Sequence, residues 1–299
     1  MRPNQITLQV KNSKIDKVWR IIDLINWGEK YLKEKSIENS RVEIELFLQH
    51  LLNCKRIDLY LQFETIVEPE SLAVLRKWIT RRINNEPIQY ILGSSEFYGR
   101  PFIVNKNVLI PRPETEILID ISLEELKNVN NPTILDIGTG SGCIAITIAL
   151  EIPLSTIIAI DIDERAIAVA KNNIEVHGVE NIEFVVADIF HEKINKKADV
   201  LISNPPYIAK KEVPDLMKDV KNYEPLIALT DNNDGLMFYR KIAEIIPSIL
   251  KENGAAIMEV GIEDHPGRVE NIFREEGFGE IKTKLDLNKD KRAIVIKNK

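Results

Sequence analysis

Three early stretches of the chain repeat apolar residues at helical spacing. Ile44, Phe47, Leu48, Leu51 and Leu52 fall at i, i+3, i+4, i+7 and i+8, which puts all five on one face of a helix. Leu72, Leu75, Ile79 and Ile83 keep the same period, and Trp19, Ile22 and Ile25 keep it more weakly. Ser40, with Glu43 three residues later, has the form of a capping box, so the second of these helices is expected to start there. Each helix must bury its apolar face against another, and a small helical bundle is expected over 1–92.

The rhythm changes at Gly93. Phe97, Tyr98, Phe102, Ile103, Val104, Val108 and Leu109 favour extended backbone, broken at Gly99-Arg100-Pro101 and Asn105-Lys106-Asn107. The pattern predicts a β-hairpin linker over 93–113, closed by Ile110-Pro111-Arg112-Pro113, where the prolines exclude a helix. A helix is expected from about 114 to 127. After Asn131-Pro132 strands and helices alternate: strands at 133–137, 156–160, 182–186, 200–202 and 255–260, helices at 143–150 and 164–177. Such alternation with apolar strands predicts a mostly parallel sheet covered on both faces, filling 114–299. Segments 281–285 and 293–296 follow closely on one another and read as an antiparallel edge pair.

Composition narrows the class. A chain of 299 residues, 44% hydrophobic and 29% charged, is expected to be a soluble globular protein of about two domains. The 2 cysteines, Cys54 and Cys143, form no CxxC and have no histidine pair nearby. That excludes a disulfide scaffold, gives no support to a metal site and points to a reducing compartment. The opening MRPNQITLQVKNSKIDK has no signal-peptide pattern, and the longest apolar stretches fall well short of the ~20 residues a membrane span needs. A cytoplasmic location without membrane attachment is the expectation. Net charge is −6, divided as +3 over residues 1–94 and −9 over the rest, and an acidic larger part is a poor surface for nucleic acid.

Candidate chemistry begins where the 133–137 strand runs into Gly138-Thr139-Gly140-Ser141-Gly142. Glycines let a backbone turn tightly against a ligand, and ligands of open α/β sheets bind at the carboxyl ends of strands. The spacing is G-x-G-x-G rather than the G-x-G-x-x-G that receives a pyrophosphate, and Asp136 before it suits an amine-bearing ligand. It resembles the first motif of class I methyltransferases. Asp161, ending the next strand, can accept hydrogen bonds from vicinal ribose hydroxyls. Asp188, after the third strand, is placed to receive an adenine amine, with Ile189 packing on the ring. Asp163 is read as the cap of the 164–177 helix.

The most specific signal is Ser203-Asn204-Pro205-Pro206-Tyr207 at the end of the fourth strand. A planar amide or aromatic amine is a weak nucleophile because its lone pair is delocalised. The Asn204 side-chain carbonyl and the Pro205 backbone carbonyl can accept both N–H bonds of such a group, orienting its nitrogen and favouring positive charge on it. The paired prolines hold the turn, and Tyr207 offers a flat face for stacking. Adenine, cytosine and glutamine all present a planar amine, so the tetrad alone leaves them open. Residues 112–116 shape the mouth of the site, or Pro113 to Glu116 simply start a helix. The histidines at 50, 177, 191 and 265 show no metal-ligand spacing and are read as structural or solvated, and Lys210-Lys211 as a solvated face or a point of contact with a protein substrate.

With Glu86-Pro87-Ile88-Gln89-Tyr90-Ile91-Leu92-Gly93, Glu96-Phe97-Tyr98-Gly99, Leu109-Ile110-Pro111-Arg112-Pro113-Glu114-Thr115-Glu116, Tyr223-Glu224-Pro225 and Asp234-Gly235-Leu236 added to the glycine loop and the tetrad, nearly the whole chain resembles the HemK/PrmC family of protein-(glutamine-N5) methyltransferases. The resemblance implies a class I S-adenosylmethionine-dependent methyltransferase fold, Rossmann-like with seven mostly parallel strands, behind an N-terminal helical bundle and hairpin linker. It implies S-adenosyl-L-methionine as cofactor, S-adenosyl-L-homocysteine as product, and the glutamine of a release factor's Gly-Gly-Gln loop as acceptor. By it, Asn204, Pro205, Pro206 and Tyr207 grip the substrate. Gly138, Thr139, Gly140, Ser141, Gly142, Asp161, Asp188, Ile189 and Asn204 hold the cofactor. Ile stands at 189, where some relatives carry Trp. The 1–92 bundle is expected to recognise the large protein partner, and the enzyme to act as a monomer. Adenine-N6 methylation of DNA, glutamine methylation of a ribosomal protein and a non-catalytic binding module are the competing readings.

Overall fold

A computed structural model describes residues 18–286 and 288–298; the expectation drawn from the first residues of the chain lies outside them. Two compact units make up the chain, 1–84 and 85–299.

The first unit is helical: α1 Ile21–Glu34, α2 Ser40–Leu52, α3 Arg56–Leu61 and α4 Pro69–Ile83. The buried stripe of α1 is Ile21, Leu24, Ile25, Gly28 and Leu32, so its face is turned from the one expected on Trp19 and Ile22. Gly28 permits a close approach of α1 and α2, since a Cβ there would lie 2.4 Å from Ile44 Cγ1. Helix α2 buries Ile44, Phe47 and Leu48 as expected. It does not carry the expected capping box. Asn39 is the N-cap, the Ser40 hydroxyl donates back to the Ile37 carbonyl, and the Glu43 carboxylate is taken by Arg82 Nε at 2.7 Å. A charged partner 39 residues away outcompetes a local backbone bond for that carboxylate.

The second unit begins eight residues or so before the expected boundary at 92, because α5 Ile88–Leu92 is anchored in it. Tyr90 packs with Val104, Val108 and Ile110, and its hydroxyl donates to the Val108 carbonyl at 2.6 Å. The hairpin follows, β1 Ser94–Phe97 paired antiparallel with β2 Arg100–Ile103. Its turn is Tyr98-Gly99, both at positive φ (52° and 68°), the two-residue geometry that matches strand twist. Arg100 and Pro101 therefore lie in the strand rather than in a break. Nor is the hairpin a free linker: Phe97 and Phe102 enter the core, and Asn173 brackets Ile103, accepting from its N–H at 2.6 Å and donating to its carbonyl at 3.0 Å. Val108 and Leu109 form no strand.

A 3-10 turn, Pro113–Thr115, leads into α6 Glu116–Leu126. The alternating part then runs β3 Thr133–Ile137, α7 Cys143–Glu151, β4 Thr156–Asp161, α8 Glu164–His177, β5 Ile182–Val186 and β6 Ala198–Ser203. After it come α9 Lys218–Tyr223, α10 Leu226–Leu229, α11 Met237–Ile249, β7 Leu250–Glu259, α12 His265–Glu275, β8 Ile281–Leu285 and β9 Lys291–Lys297. The sheet has seven strands in the order β5-β4-β3-β6-β7-β9-β8. All pairings are parallel except β7–β9 and β8–β9, which make the expected antiparallel edge. Side chains alternate across the pleat. Ile134, Ile157, Ala159 and Ile202 pack under α6 and α7, while Leu135, Ile158, Ile160 and Leu201 pack against α11 and α12. Strand order reverses between β4, β3 and β6, and the crevice at their carboxyl ends is where such a sheet holds its ligand.

Candidate active site

A cavity of about 290 Å³ opens at that crevice. The glycine loop forms one wall. Gly138 and Thr139 both donate their N–H to the Ile160 carbonyl, at 2.9 and 3.0 Å, and Gly140 N–H donates to Asp161 Oδ2 at 2.9 Å. Gly138 and Gly140 adopt φ of +76° and +55°, and a Cβ on either would meet no atom within 4 Å. That open space beside two backbones on the cavity wall is a cradle that side chains would fill. Asp161 Oδ1 accepts from Asp163 N–H at 3.0 Å, and burial raises its pKa. Each Asp161 oxygen thus keeps acceptor capacity towards the cavity.

Asp188 lines the far end. Burial works against its charge, but the His191 ring at 2.6 Å and the Phe190 N–H at 2.9 Å hold it below the usual carboxylate range. Ile189 is 5% exposed and joins Leu135 and Ile137 in the core while still reaching the wall. Phe190 and Phe238, packed edge to face at 5.1 Å, add an aromatic corner. Asp163 caps α8 as expected, accepting from Arg165 N–H at 2.8 Å, and also lines the cavity. Behind the loop Asp136 is fully buried and accepts from the Thr139 hydroxyl at 2.7 Å; burial pushes its pKa up to about 7.

Asn204, at the end of β6, lines the same cavity, as does Pro206. Asn204 Nδ2 donates to Thr115 Oγ1 at 3.0 Å, and that hydroxyl donates to Glu259 Oε2. The other oxygen of Glu259 accepts from the Tyr207 hydroxyl at 3.2 Å. Glu259 ends β7, is 2% exposed, and burial pushes its pKa up to about 7. The two readings of this stretch coexist: 113–115 turn into a helix, and Arg112 and Thr115 reach the cavity. Arg112 also lines the cavity and pairs with Glu224 at 2.5 Å; the Glu224 carboxylate is buried and also receives the Ile110 N–H.

Three expected site residues are not on the wall. Gly142 faces inward, where a Cβ would lie 3.1 Å from Ala170 Cβ and 3.2 Å from Ile146 Cδ1; its φ of +79° serves the entry into α7. Pro205 is buried. Tyr207 turns its ring towards His265, with centroids 5.7 Å apart, and spends its hydroxyl on Glu259. Arg112 and Thr115, from the stretch expected at the mouth of the site, line the cavity; Cys143 lines it without having been singled out, and Glu259 stands directly behind Thr115. An acid at the carboxyl end of a strand was the available signal for Glu259, since Asp161 was found by that rule.

Comparison with known proteins gives concordant matches. Residues 23–93 match the family model for the PrmC N-terminal domain, and 115–221 that for the methyltransferase small domain. A release factor glutamine methyltransferase of Chlorobaculum tepidum is 37% identical over 93% of this chain and 97% of its own. One from Bacillus subtilis is 36% identical over 93% and 99%. The solved hMettl16 catalytic domain in complex with MAT2A 3'UTR hairpin 1 is 13% identical, covers 78% of this chain and 83% of its own, and has a TM-score of 0.54; at that identity the likeness is one of fold. Among the described residues no helix is long and apolar enough to cross a membrane.

Proposed function

The chain belongs to the release factor glutamine methyltransferase family, and from that premise we propose that it transfers a methyl group from S-adenosylmethionine to the side-chain amide nitrogen of the glutamine in a release factor's Gly-Gly-Gln loop. One observation carries the reading to this chain: Asn204 shares a single cavity with the glycine cradle and Asp161.

Gly138, Thr139, Gly140 and Ser141 would hold the cofactor's amino-acid part, Asp161 its ribose hydroxyls, and Asp188 with Ile189 its base. When bound, S-adenosylmethionine supplies an electrophilic methyl carbon on a sulfonium. The chain's own residues orient the acceptor. Asn204 Oδ1, on the cavity wall, accepts one N–H of the glutamine amide, and the Pro205 carbonyl, off the wall in this structure, would take the other once the substrate is seated; together they would hold the nitrogen at a defined angle and favour the positive charge that develops there. Neither accepts a proton for good, so proton release to water can follow transfer. Pro205 and Pro206 keep the turn rigid, and Tyr207, tied to Glu259, fixes its far end. The 1–92 region, holding the helical unit, is proposed to recognise the body of the release factor.

The test is mass spectrometry of a release factor incubated with the enzyme and S-adenosylmethionine. One added methyl group on the Gly-Gly-Gln glutamine is expected. An unmodified glutamine, or transfer to DNA oligonucleotides instead, overturns the assignment.

A further inference from the structure

A carboxamide is ambiguous: it can present either oxygen or NH2 to a ligand, and the two ends are of nearly the same size. Only the oxygen of Asn204 can accept from an incoming NH2 group; the nitrogen would repel it. Something must choose.

The structure contains a chain of hydrogen bonds that makes this choice. Asn204 Nδ2 lies 3.0 Å from Thr115 Oγ1, and Thr115 Oγ1 donates to Glu259 Oε2. A hydroxyl has one proton. Once that proton is given to an ionised carboxylate, the Thr115 oxygen can only accept, so it must be met by the donor end of Asn204. The Glu259 carboxylate cannot rotate away, because its second oxygen receives the Tyr207 hydroxyl at 3.2 Å and the group is 2% exposed. Tyr239 donates its hydroxyl to the Glu259 backbone carbonyl at 2.7 Å, holding the strand end as well. The members come from distant segments, 89 residues apart for Asn204 and Thr115 and 144 for Thr115 and Glu259.

We propose that Thr115 and Glu259 are positioning residues that select the acceptor face of Asn204, the carboxylate taking the Thr115 proton, the hydroxyl taking an Asn204 N–H, and Oδ1 being left to face the substrate amide. This rests on the proposed reaction. The polarity of the chain is its functional content. A Glu259 that carried a proton would donate to Thr115, release the Thr115 proton towards Asn204, and turn the NH2 end to the substrate. Neither residue touches the reacting atoms in this arrangement; both act through Asn204.

The experiment compares Thr115→Val, which keeps the shape and removes the hydroxyl, with Thr115→Ser, which restores it. Each purified enzyme is assayed with a release factor at saturating S-adenosylmethionine, cofactor affinity is measured by calorimetry, and the side-chain amide of Asn204 is followed by 15N NMR. For Thr115→Val, kcat should fall about 10- to 100-fold while cofactor affinity stays near wild type, the scale expected for a misoriented but present catalytic group. Thr115→Ser should recover most of that loss. The Asn204 amide resonance should shift in Thr115→Val and return in Thr115→Ser. The inference is overturned if Thr115→Val turns over like wild type, if Thr115→Ser is as impaired as Thr115→Val, or if the Asn204 resonance does not respond. An inactive wild-type enzyme would instead count against the proposed reaction, and the NMR result would still decide the positioning claim.

Discussion

Gly235 lies so close to Tyr207 that a Cβ on it would stand 2.2 Å from the Tyr207 carbonyl oxygen. The contact joins the loop before α11 to the turn that carries Asn204. Its φ of +77° already disfavours any other residue, and the Asp231 carboxylate anchors the loop by accepting from the N–H groups of Asn233, Gly235 and Met237. Backbone atoms cannot yield as a flexible side chain does. Gly235→Ala should therefore lower stability by about 1–3 kcal/mol and cut methylation further than the stability loss explains. Thermal melting read beside kcat checks it, and an active, fully stable variant would contradict the contact.

Asn204→Ala removes the proposed acceptor of the substrate N–H and nothing that holds the cofactor's ribose or base. Turnover should drop about 100-fold or more, on the scale of deleting one preorganised polar partner, while cofactor affinity changes little. Calorimetry and initial rates separate the two, and equal losses in both would mean that the role is misassigned.

Asp161 is the reverse case. Its carboxylate receives Gly140 N–H and Asp163 N–H and is placed for ribose hydroxyls, so Asp161→Ala should weaken cofactor binding and loosen the glycine loop together. An affinity loss of about 10-fold or more is expected from one lost charge-assisted site, with kcat at saturating cofactor much less affected. An unchanged Kd would move the ribose site elsewhere.

Arg112 and Glu224 form the pair that ties the stretch before α6 to the one before α10. Arg112→Ala leaves a buried carboxylate without its cation and should cost about 2 kcal/mol, less than a fully buried pair because the arginine is partly exposed. Adding Glu224→Gln should return much of that stability, since the orphaned charge is then gone. Denaturant unfolding of the single and double variants measures it; additive losses would sink the explanation.

Glu259 and Asp136 carry the pH dependence. Both are pushed up to about 7 by burial, whereas their ordinary values are 4.5 and 3.8. Below the ordinary values both states bind the proton and the folded state has its full stability. As pH rises towards 7 the unfolded chain is ionised while the folded one is not, so stability falls through that window, by an amount on the order of a few kcal/mol for each group, and levels off above it. The groups facing Glu259 are Thr115, Tyr207, Arg292 and Glu114, of which only Arg292 favours its charge by proximity alone. Activity should run the other way, rising through about 7 as Glu259 ionises and Asn204 takes its working orientation. Glu259→Gln should flatten the activity profile and remove only its own share of the stability one, leaving that of Asp136; a kcat profile with the same inflection in that variant would assign it to another group.

Local chemistry made much of this molecule legible. Period-3.6 stripes marked α2 and α4, apolar runs between helical stretches marked β3 and β5 to their ends, and the G-x-G-x-G loop, Asp161 and Asn204 were found because each is a residue type set at a strand terminus. These signals lie within a few neighbours of each other along the chain, where turn geometry and side-chain alternation act directly. The supporting contacts were not legible in the same way. Glu43 looks like a capping residue until Arg82 arrives to claim it, and Tyr207 looks like an open stacking face until Glu259 and His265 occupy it. The direction of the Asn204 amide is proposed to depend on Thr115 and Glu259, which reach it only when two strand ends and a helix entry have been brought to one end of the sheet. Sequence alone determined which groups could do chemistry and on which elements they stand. Tertiary structure decided which way they face, because hydrogen-bond partners are chosen by proximity in space, and buried groups take whichever partner best offsets their loss of water.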